Sequence, residues 1–340
     1  MTRLPQGAGP DLNPEQLHQL NFSFVPSRVL SAGVQLAVFS HIAAGKKTVE
    51  EVARAARASR RGIRMLLDAL VACRLLTKKD SRYGLTPLTA KFLVRQSPDY
   101  AGATMENDDL AETWLHLVKA IRTGKPPHPV NAEKSAAKFF PTLVRNLHVI
   151  NEKPARQAAQ MLGEGIPRKG LSVVDIGCGS GIWGIAFAEA DRHACVTAQD
   201  FPAMLRLTRQ YVKRHGVQDR FDYLPGNLDT VELGKERFDL ALAGNIVHTA
   251  GGRSARRLFR RLHRALRPGG RIAIADMIPN EDRTGPPFPV FFALNMLLHT
   301  EEGDTYTLAE YAQWLMGAGF ERVETAAIGS HSPLIIGCKE

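Results

Sequence analysis

The segment SVVDIGCGSGIWGIAF, Ser172 to Phe187, runs an apolar stretch into Asp175 and then places three glycines at alternate positions, Gly177, Gly179 and Gly181. Glycine reaches positive φ without strain and lets the backbone approach another molecule closely. A short apolar strand that ends in such a turn and feeds a helix is the ligand-binding unit of open α/β sheets. The sequence after Gly170 keeps this rhythm. LSVVDIG, ACVTAQD, FDYLPGN, FDLALAGNIVH, GGRIAIADMI and PLIIGCK are strand candidates, and helical runs such as FPAMLRLTRQYVKRHG and RSARRLFRRLHRAL separate most of them. The alternation predicts an α/β domain with a doubly wound, mainly parallel sheet, and puts its ligand at the C-terminal ends of the strands.

The chain has 340 residues, comfortable for two domains. Its first part is helical. PSRVLSAGVQLAVFSHIAAG reads as one apolar-rich helix ended by Gly45, and TVEEVARAARAS opens on Thr48 with Glu51 three residues on, a capping box. Ile63, Leu66, Leu67, Leu70, Val71 and Leu75 form one stripe of the next helix. DSRYGLTPLTAKFL then gives a turn, a strand with Tyr83 and Leu85, and a closing helix, so this part looks like a winged helix. Further on, Leu110, Trp114, Leu117 and Ile121 share a face, and KFFPTLVRNLHVINEKPARQAAQMLG is a helical stretch that Pro141 and Pro154 are expected to break. TGKPPHPVN and EGIPRKG are turn-rich seams, and MTRLPQGAGPDLNPEQ reads as a frayed N-terminal arm without the apolar centre of a secretory signal.

No apolar run approaches the roughly 20 residues that span a bilayer, so no membrane segment is expected. Cys73, Cys178, Cys195 and Cys338 are scattered, without paired spacing or a histidine at ligand distance. That argues against a disulfide framework or a metal site and fits a reducing cytoplasm. The formal net charge of +10 raises nucleic acid as a partner. Much of it lies between Arg253 and Arg267, however, where Ala255, Leu258, Phe259, Leu262 and Leu266 fall at helical spacing. The arginines are then the wet, opposite face of an amphipathic helix.

Two ligands compete for the glycine turn. GSGIWG (Gly179 to Gly184) matches the dinucleotide fingerprint, with Asp200 about 20 residues on. Counted from Gly177, however, the turn reads D-I-G-C-G-S-G, with a carboxylate at the strand end that a pyrophosphate would avoid and a cationic ligand would not. The second piece is ALRPGGRIAIAD (Ala265 to Asp276), a helix end, a turn at Pro268-Gly269-Gly270 and a strand. VVDIGCGSG and ALRPGG in this order resemble the class I S-adenosylmethionine-dependent methyltransferases. With the winged-helix front end, LAETWLHLVKAI, QDFP, NIVH and EYAQWLMGAGF, the whole chain resembles the metal-independent small-molecule O-methyltransferases, the family of caffeate-type and bacterial tailoring enzymes. The resemblance implies a homodimer whose N-terminal domain dimerises and helps roof the substrate pocket. It also implies S-adenosyl-L-methionine as cofactor, a small-molecule methyl acceptor, and no metal. The expected organisation is an arm and winged-helix dimerisation domain over 1–98, a helical connector over 99–165, and a Rossmann-like catalytic domain over 166–340.

By the same resemblance, Gly177, Gly179 and Gly181 pass beneath the methionine part of the cofactor, and Asp175 meets its ammonium directly or through water. The alternative for Asp175 is a strand-end acid that caps the next helix. Asp200 takes the ribose hydroxyls, with Phe201 beside it; Asn227 accepts from the adenine amino group, Leu228 lies against the ring, and Asn245 completes the cofactor set. His248 aligns with the family's catalytic base, and Asp276 with the carboxylate that orients it. A histidine simply satisfied at a strand end is the competing assignment. Histidine titrates near neutrality and so can take a proton from a phenol of pKa ~10 as the methyl bond forms. The pattern departs from the family's at three places: Thr249 and Ala250 stand where Asp and a Trp that covers the adenine are usual, and Thr305 stands where a second carboxylate is usual, with Asp304 adjacent. Those departures leave an S-, N- or C-nucleophile open. For the substrate wall the candidates are Phe292, Asn295, Met296 and His299 from FPVFFALNMLLHT, with Phe139, Leu147 and His148 opposite. A winged-helix DNA-binding regulator that senses the cofactor is the contrasting class, with Arg60, Arg61 and Arg64 as its phosphate contacts.

Overall fold

The computed structural model describes residues 13–127, 129–130, 133–164, 170–330 and 333–340, with backbone alone at 133–138 and 164. The expected N-terminal arm before residue 13 and most of the EGIPRKG seam lie outside the described residues. Two compact units divide between Glu112 and Thr113.

The first unit holds α1 (Pro14–Asn21), α2 (Phe24–Gln35), α3 (Val38–Ala43), α4 (Val49–Ala55), α5 (Arg60–Ala72), a hairpin of β1 (Leu76–Lys79) and β2 (Arg82–Leu85), and α6 (Pro87–Phe92). Thr48 and Glu51 form the capping box at the start of α4. The hairpin turns on Asp80 and Ser81, both at positive φ, as a two-residue hairpin turn requires. The helix read over PSRVLSAGVQLAVFSHIAAG is in fact two helices, because Ala37 takes a left-handed conformation at φ 51°. That break lets Phe39 and Val38 turn into the core beside Leu67 and Leu70.

α7 (Asp109–Leu115) spans the division between the units. The second unit then runs α8 (Leu117–Thr123), α9 (Glu133–Glu164), β3 (Ser172–Ile176), α10 (Ile182–Ala190), β4 (Cys195–Asp200), α11 (Pro202–Arg214), β5 (Phe221–Pro225), β6 (Phe238–Gly244), α12 (Gly252–Ala265), β7 (Leu266–Ala275), α13 (Pro287–His299), α14 (Leu308–Met316), β8 (Arg322–Ala326) and β9 (Leu334–Cys338). The seven strands are ordered β5-β4-β3-β6-β7-β9-β8, all parallel except β9, which pairs antiparallel with both neighbours. β3 neighbours β4 on one side and β6 on the other, so the chain reverses its direction of winding there, and a crevice opens at the strand ends. α9, α10 and α11 cover one face, α12 and α14 the other.

Parts of the second unit depart from the sequence reading. α9 runs unbroken through Pro141 and Pro154. A mid-helix proline costs about 3 kcal/mol, a loss that burial of Ala155, Ala158, Ala159 and Leu162 against α10 can offset. β8 is an edge strand absent from the sequence reading; it carries Arg322 and Glu324 and is largely exposed. The RPGG turn is an excursion within β7: between the pairs Phe238↔Leu266 and Leu240↔Arg271, β7 advances five residues while β6 advances two.

Candidate active site

At the end of β3 the three glycines all adopt positive φ, 55°, 55° and 77°. A Cβ on Gly177 would stand 2.6 Å from Ile246, and one on Gly179 3.2 Å from Val144, so both backbone shape and space demand glycine. Asp175 is buried beneath this turn. Its Oδ2 accepts from the N–H of Gly184 in the first turn of α10 at 3.0 Å, while Oδ1 has no hydrogen-bond partner among the described residues. Burial pushes this carboxyl up to about 8, against the lowering pull of the Gly184 N–H, and the nearby Asp200 charge adds to the rise. Asp175 thus ties the first turn of α10 to the end of β3.

A cavity of about 250 Å³ opens at the C-terminal ends of β3, β4, β5 and β6. Gly177, Asp200, Phe201, Asn227 and Leu228 line it together, five of the residues chosen from sequence. Asp175, Gly179, Gly181 and Asn245 do not. Asn245 takes φ 56° and donates its backbone N–H to Ala275, which makes it a strand-end turn residue. Gly179 instead presents its N–H to Asp200 Oδ2 at 2.9 Å. Phe201 N–H occupies Oδ1 at 2.7 Å, so each oxygen of Asp200 keeps acceptor capacity toward the cavity. Burial raises the Asp200 carboxyl to about 6, against those two N–H groups. Asn227 Oδ1 already accepts from Asp229 N–H at 2.8 Å, closing an Asx turn. Among the lining residues the acids are Asp200, Asp229, Glu301 and Glu302, and no lysine, arginine or histidine is present. In a chain of net charge +10 this is a local inversion, unsuited to a pyrophosphate and suited to a cation.

His248 sits in a single 3₁₀ turn, Val247–Thr249, directly after β6, and both flanking residues of that turn line the cavity. Its ring is buried. Nδ1 lies 2.5 Å from Asp276 Oδ1 at the end of β7, and its backbone N–H donates to Asp276 Oδ2 at 3.0 Å. Tyr311 Oη donates to Oδ2 at 2.8 Å and Met277 N–H to Oδ1 at 2.8 Å. Four donors therefore meet on one buried carboxylate. Burial works to raise the Asp276 pKa, but the His248 charge and these hydrogen bonds outweigh it and hold it below the ordinary carboxylate value. An ionised Asp276 only accepts, which puts the ring proton on Nδ1 and leaves Nε2 as the basic nitrogen. Phe292 of α13 meets the imidazole edge to face at 4.9 Å.

Other substrate candidates are placed elsewhere. His148 is buried between Ser180 Oγ, 3.1 Å from Nδ1, and the ring of Tyr211, stacked at 4.0 Å; it is a packing residue of α9 rather than a pocket wall. Phe139 meets His299 ring to ring at 5.2 Å, and His299 Nδ1 donates to Asn295 O at 2.9 Å. Met296 is buried and Leu147 half-buried, and neither lines the cavity. Thr305 is fully buried with no partner for its hydroxyl among the described residues. Asp304 turns its carboxylate outward toward Arg283 while its N–H donates to His248 O. Sequence reasoning gave no role to Gln199, Glu301 and Glu302 on the cavity or to Tyr311 behind Asp276; Gln199 and Tyr311 stand inside QDFP and EYAQWLMGAGF, but their partners are distant in sequence.

Residues 173–270 match a methyltransferase domain family, and residues 18–95 an O-methyltransferase dimerisation domain. The tetracenomycin polyketide synthesis 8-O-methyl transferase TcmO of Streptomyces glaucescens is 31% identical over 336 residues, 96% of this chain and 97% of that one. The chain belongs to the O-methyltransferase family. Within it, 3-hydroxy-5-methyl-1-naphthoate 3-O-methyltransferase of Streptomyces sahachiroi is 27% identical over 93% of this chain and 92% of its own. Human N-acetylserotonin methyltransferase, in complex with S-adenosylmethionine, shares the fold with a TM-score of 0.81 at 24% identity, covering 98% of this chain and 99% of the human one. The O-methyltransferase is therefore an enzyme that uses S-adenosyl-L-methionine. The described residues fit that cofactor on their own chemistry: a cavity lined by carboxylates and free of lysine, arginine and histidine favours a cationic group. Among the described residues no cluster could hold a metal ion, and no helix is long and apolar enough to cross a membrane.

Proposed function

We propose that this O-methyltransferase methylates a hydroxyl of a small aromatic molecule, with His248 Nε2 as the base that takes the hydroxyl proton. The observation that carries the assignment is His248 itself: buried, held by Asp276 at Nδ1, and flanked by two residues of the cofactor cavity. Asp276 keeps the proton on Nδ1 and stabilises the imidazolium that forms. Asp200 accepts from the ribose hydroxyls with its two remaining acceptor sites, Leu228 packs on the adenine, and the glycine turn runs beneath the methionine moiety. Bound S-adenosylmethionine supplies an electrophilic methyl group. The acidic lining, Glu301 and Glu302 included, complements the cofactor's charge. Phe292 beside His248 supports an aromatic acceptor, as do the aromatic substrates named for the naphthoate relative. Leu17, Leu20, Phe22 and Phe24 are exposed at 61%, 44%, 49% and 59%, and we assign their burial to a second copy of the chain, making a homodimer in the cytoplasm.

The test is a panel of hydroxylated aromatic acceptors, with thiol and amine analogues, incubated with labelled S-adenosylmethionine. On the best hydroxyl acceptor, His248→Ala should lower turnover by ~10²–10⁴ while S-adenosylhomocysteine affinity stays unchanged. Near-normal turnover of that variant, or preference for the thiol or amine, would remove the base assignment and leave catalysis by positioning.

A further inference from the structure

Gln199 is the last residue before Asp200 and is 1% exposed, yet it belongs to none of the roles above. Its side-chain amide joins two loops that are far apart in sequence. Oε1 accepts from the Gly177 N–H at 3.3 Å, and Nε2 donates to the Gly226 carbonyl at 2.8 Å. Only this orientation of the amide satisfies both partners, since one is a donor and the other an acceptor. Its backbone carbonyl accepts from Cys178 N–H at 3.0 Å, a third tie to the glycine turn. Gly177, Gln199 and Gly226 all line the cavity.

The loop that begins at Gly226 is braced on its far side as well. Arg261 of α12 is half-buried, unlike Arg253, Arg256, Arg257, Arg260 and Arg264 of the same helix, and it donates to the carbonyls of Leu228 and Val231. One arginine of the face read as wet is thus committed to the interior.

We propose that Gln199 is a positioning residue for the cofactor. It fixes the glycine turn, which carries the methionine end, and the Gly226–Asp229 loop, which carries the adenine end, in one preorganised frame, and Arg261 braces that loop from behind. The proposal rests on assigning this cavity to S-adenosylmethionine. Without the bridge each loop is ordered only when the ligand arrives, so binding weakens while the chemistry at His248 is untouched.

The experiment measures S-adenosylhomocysteine affinity by calorimetry and steady-state kinetics for Gln199→Leu, Gln199→Glu and Asp200→Ala in the full-length protein. Gln199→Leu loses two buried hydrogen bonds and should raise the dissociation constant and the cofactor KM by roughly 10–100-fold, with kcat at saturating cofactor within about threefold. Gln199→Glu keeps the acceptor for Gly177 but, once ionised, faces the Gly226 carbonyl with a second acceptor. Protonation restores the donor, so its dissociation constant relative to wild type should grow from about pH 6 to about pH 9. A loss of folding lowers the number of binding sites in the calorimetric titration and not the affinity of the folded fraction, so the two are read apart, and the glutamate variant decides the matter if the leucine variant fails to fold. If both Gln199 variants bind as wild type does, or the glutamate ratio is flat with pH, the proposal is overturned. Should Asp200→Ala weaken binding in that case, the cavity assignment stands and only the role of Gln199 falls. Should Asp200→Ala also bind normally, the cavity assignment falls with it.

Discussion

Replacing Asp276 by asparagine keeps the shape of the side chain and removes half of its accepting capacity. In the wild type, Oδ1 takes His248 Nδ1–H at 2.5 Å and Met277 N–H at 2.8 Å, while Oδ2 takes His248 N–H at 3.0 Å and Tyr311 O–H at 2.8 Å. An amide nitrogen placed at Oδ1 faces the Met277 N–H; placed at Oδ2 it faces the His248 N–H. The imidazole can answer by moving its proton to Nε2, and the Tyr311 hydroxyl can rotate, but a backbone donor cannot respond. One buried N–H is therefore left unsatisfied in either orientation, and the charge assistance to the ring is lost as well, together about 2–4 kcal/mol of stability. Catalysis should fall further than stability implies, because the tautomer that suits the amide can put the proton on the nitrogen that must be basic. The same carboxylate-to-amide exchange behind the histidine of serine proteases costs ~10⁴ in turnover. We expect ~10²–10⁴ here in single-turnover methyl transfer, with urea titration giving the stability loss. The sign of the pH effect follows from the lowered Asp276 pKa: the carboxylate stabilises the fold above the ordinary carboxyl value, and that contribution is lost as pH falls toward its folded value. The stability gap between wild type and Asp276→Asn should accordingly narrow below about pH 4. An asparagine variant within about tenfold of wild-type turnover and equally stable would refute the role given to this carboxylate.

Because the Asp200 carboxyl sits at about 6 and the ribose hydroxyls need its ionised form, the cofactor KM should rise as pH drops through that value, and Asp200→Asn should flatten the profile. Asp175 is protonated in the fold up to about 8 but ionises near 3.8 when unfolded, so wild-type stability falls as pH rises between the two. Asp175→Asn, which can still accept from Gly184 N–H, should be more stable than wild type without cofactor, by a margin in melting temperature that widens toward pH 8. A Cβ on Gly244 would lie 2.2 Å from Trp183 Nε1, so Gly244→Ala should cost about 1–3 kcal/mol in denaturant titration, through overpacking.

Much of the catalytic unit is written in features that act over a few residues. The glycine turn after β3 needs positive φ at three positions, and only glycine takes them cheaply. The stripe of Ala255, Leu258, Phe259 and Leu262 makes α12 amphipathic whatever surrounds it. Thr48 and Glu51 start α4 by bonding their own backbone. Strand ends that alternate with helices bring Gly177, Asp200, Phe201, Asn227 and Leu228 to one side of a parallel sheet, and these five share a cavity. Tertiary structure decided what depends on partners distant in sequence. Gln199 bonds Gly226 only because β4 lies between β3 and β5, and Tyr311 reaches Asp276 only because α14 packs on the β6–β7 face. Ala37 breaks a helix with no glycine or proline to announce it, since burying Phe39 outweighs the strain of a left-handed alanine. Pro141 and Pro154 stay inside α9 because the apolar contact along α10 outweighs their local cost. β8, largely exposed, is a strand because β9 offers it a row of unpaired hydrogen-bonding groups, a property of the neighbour and not of its own residues.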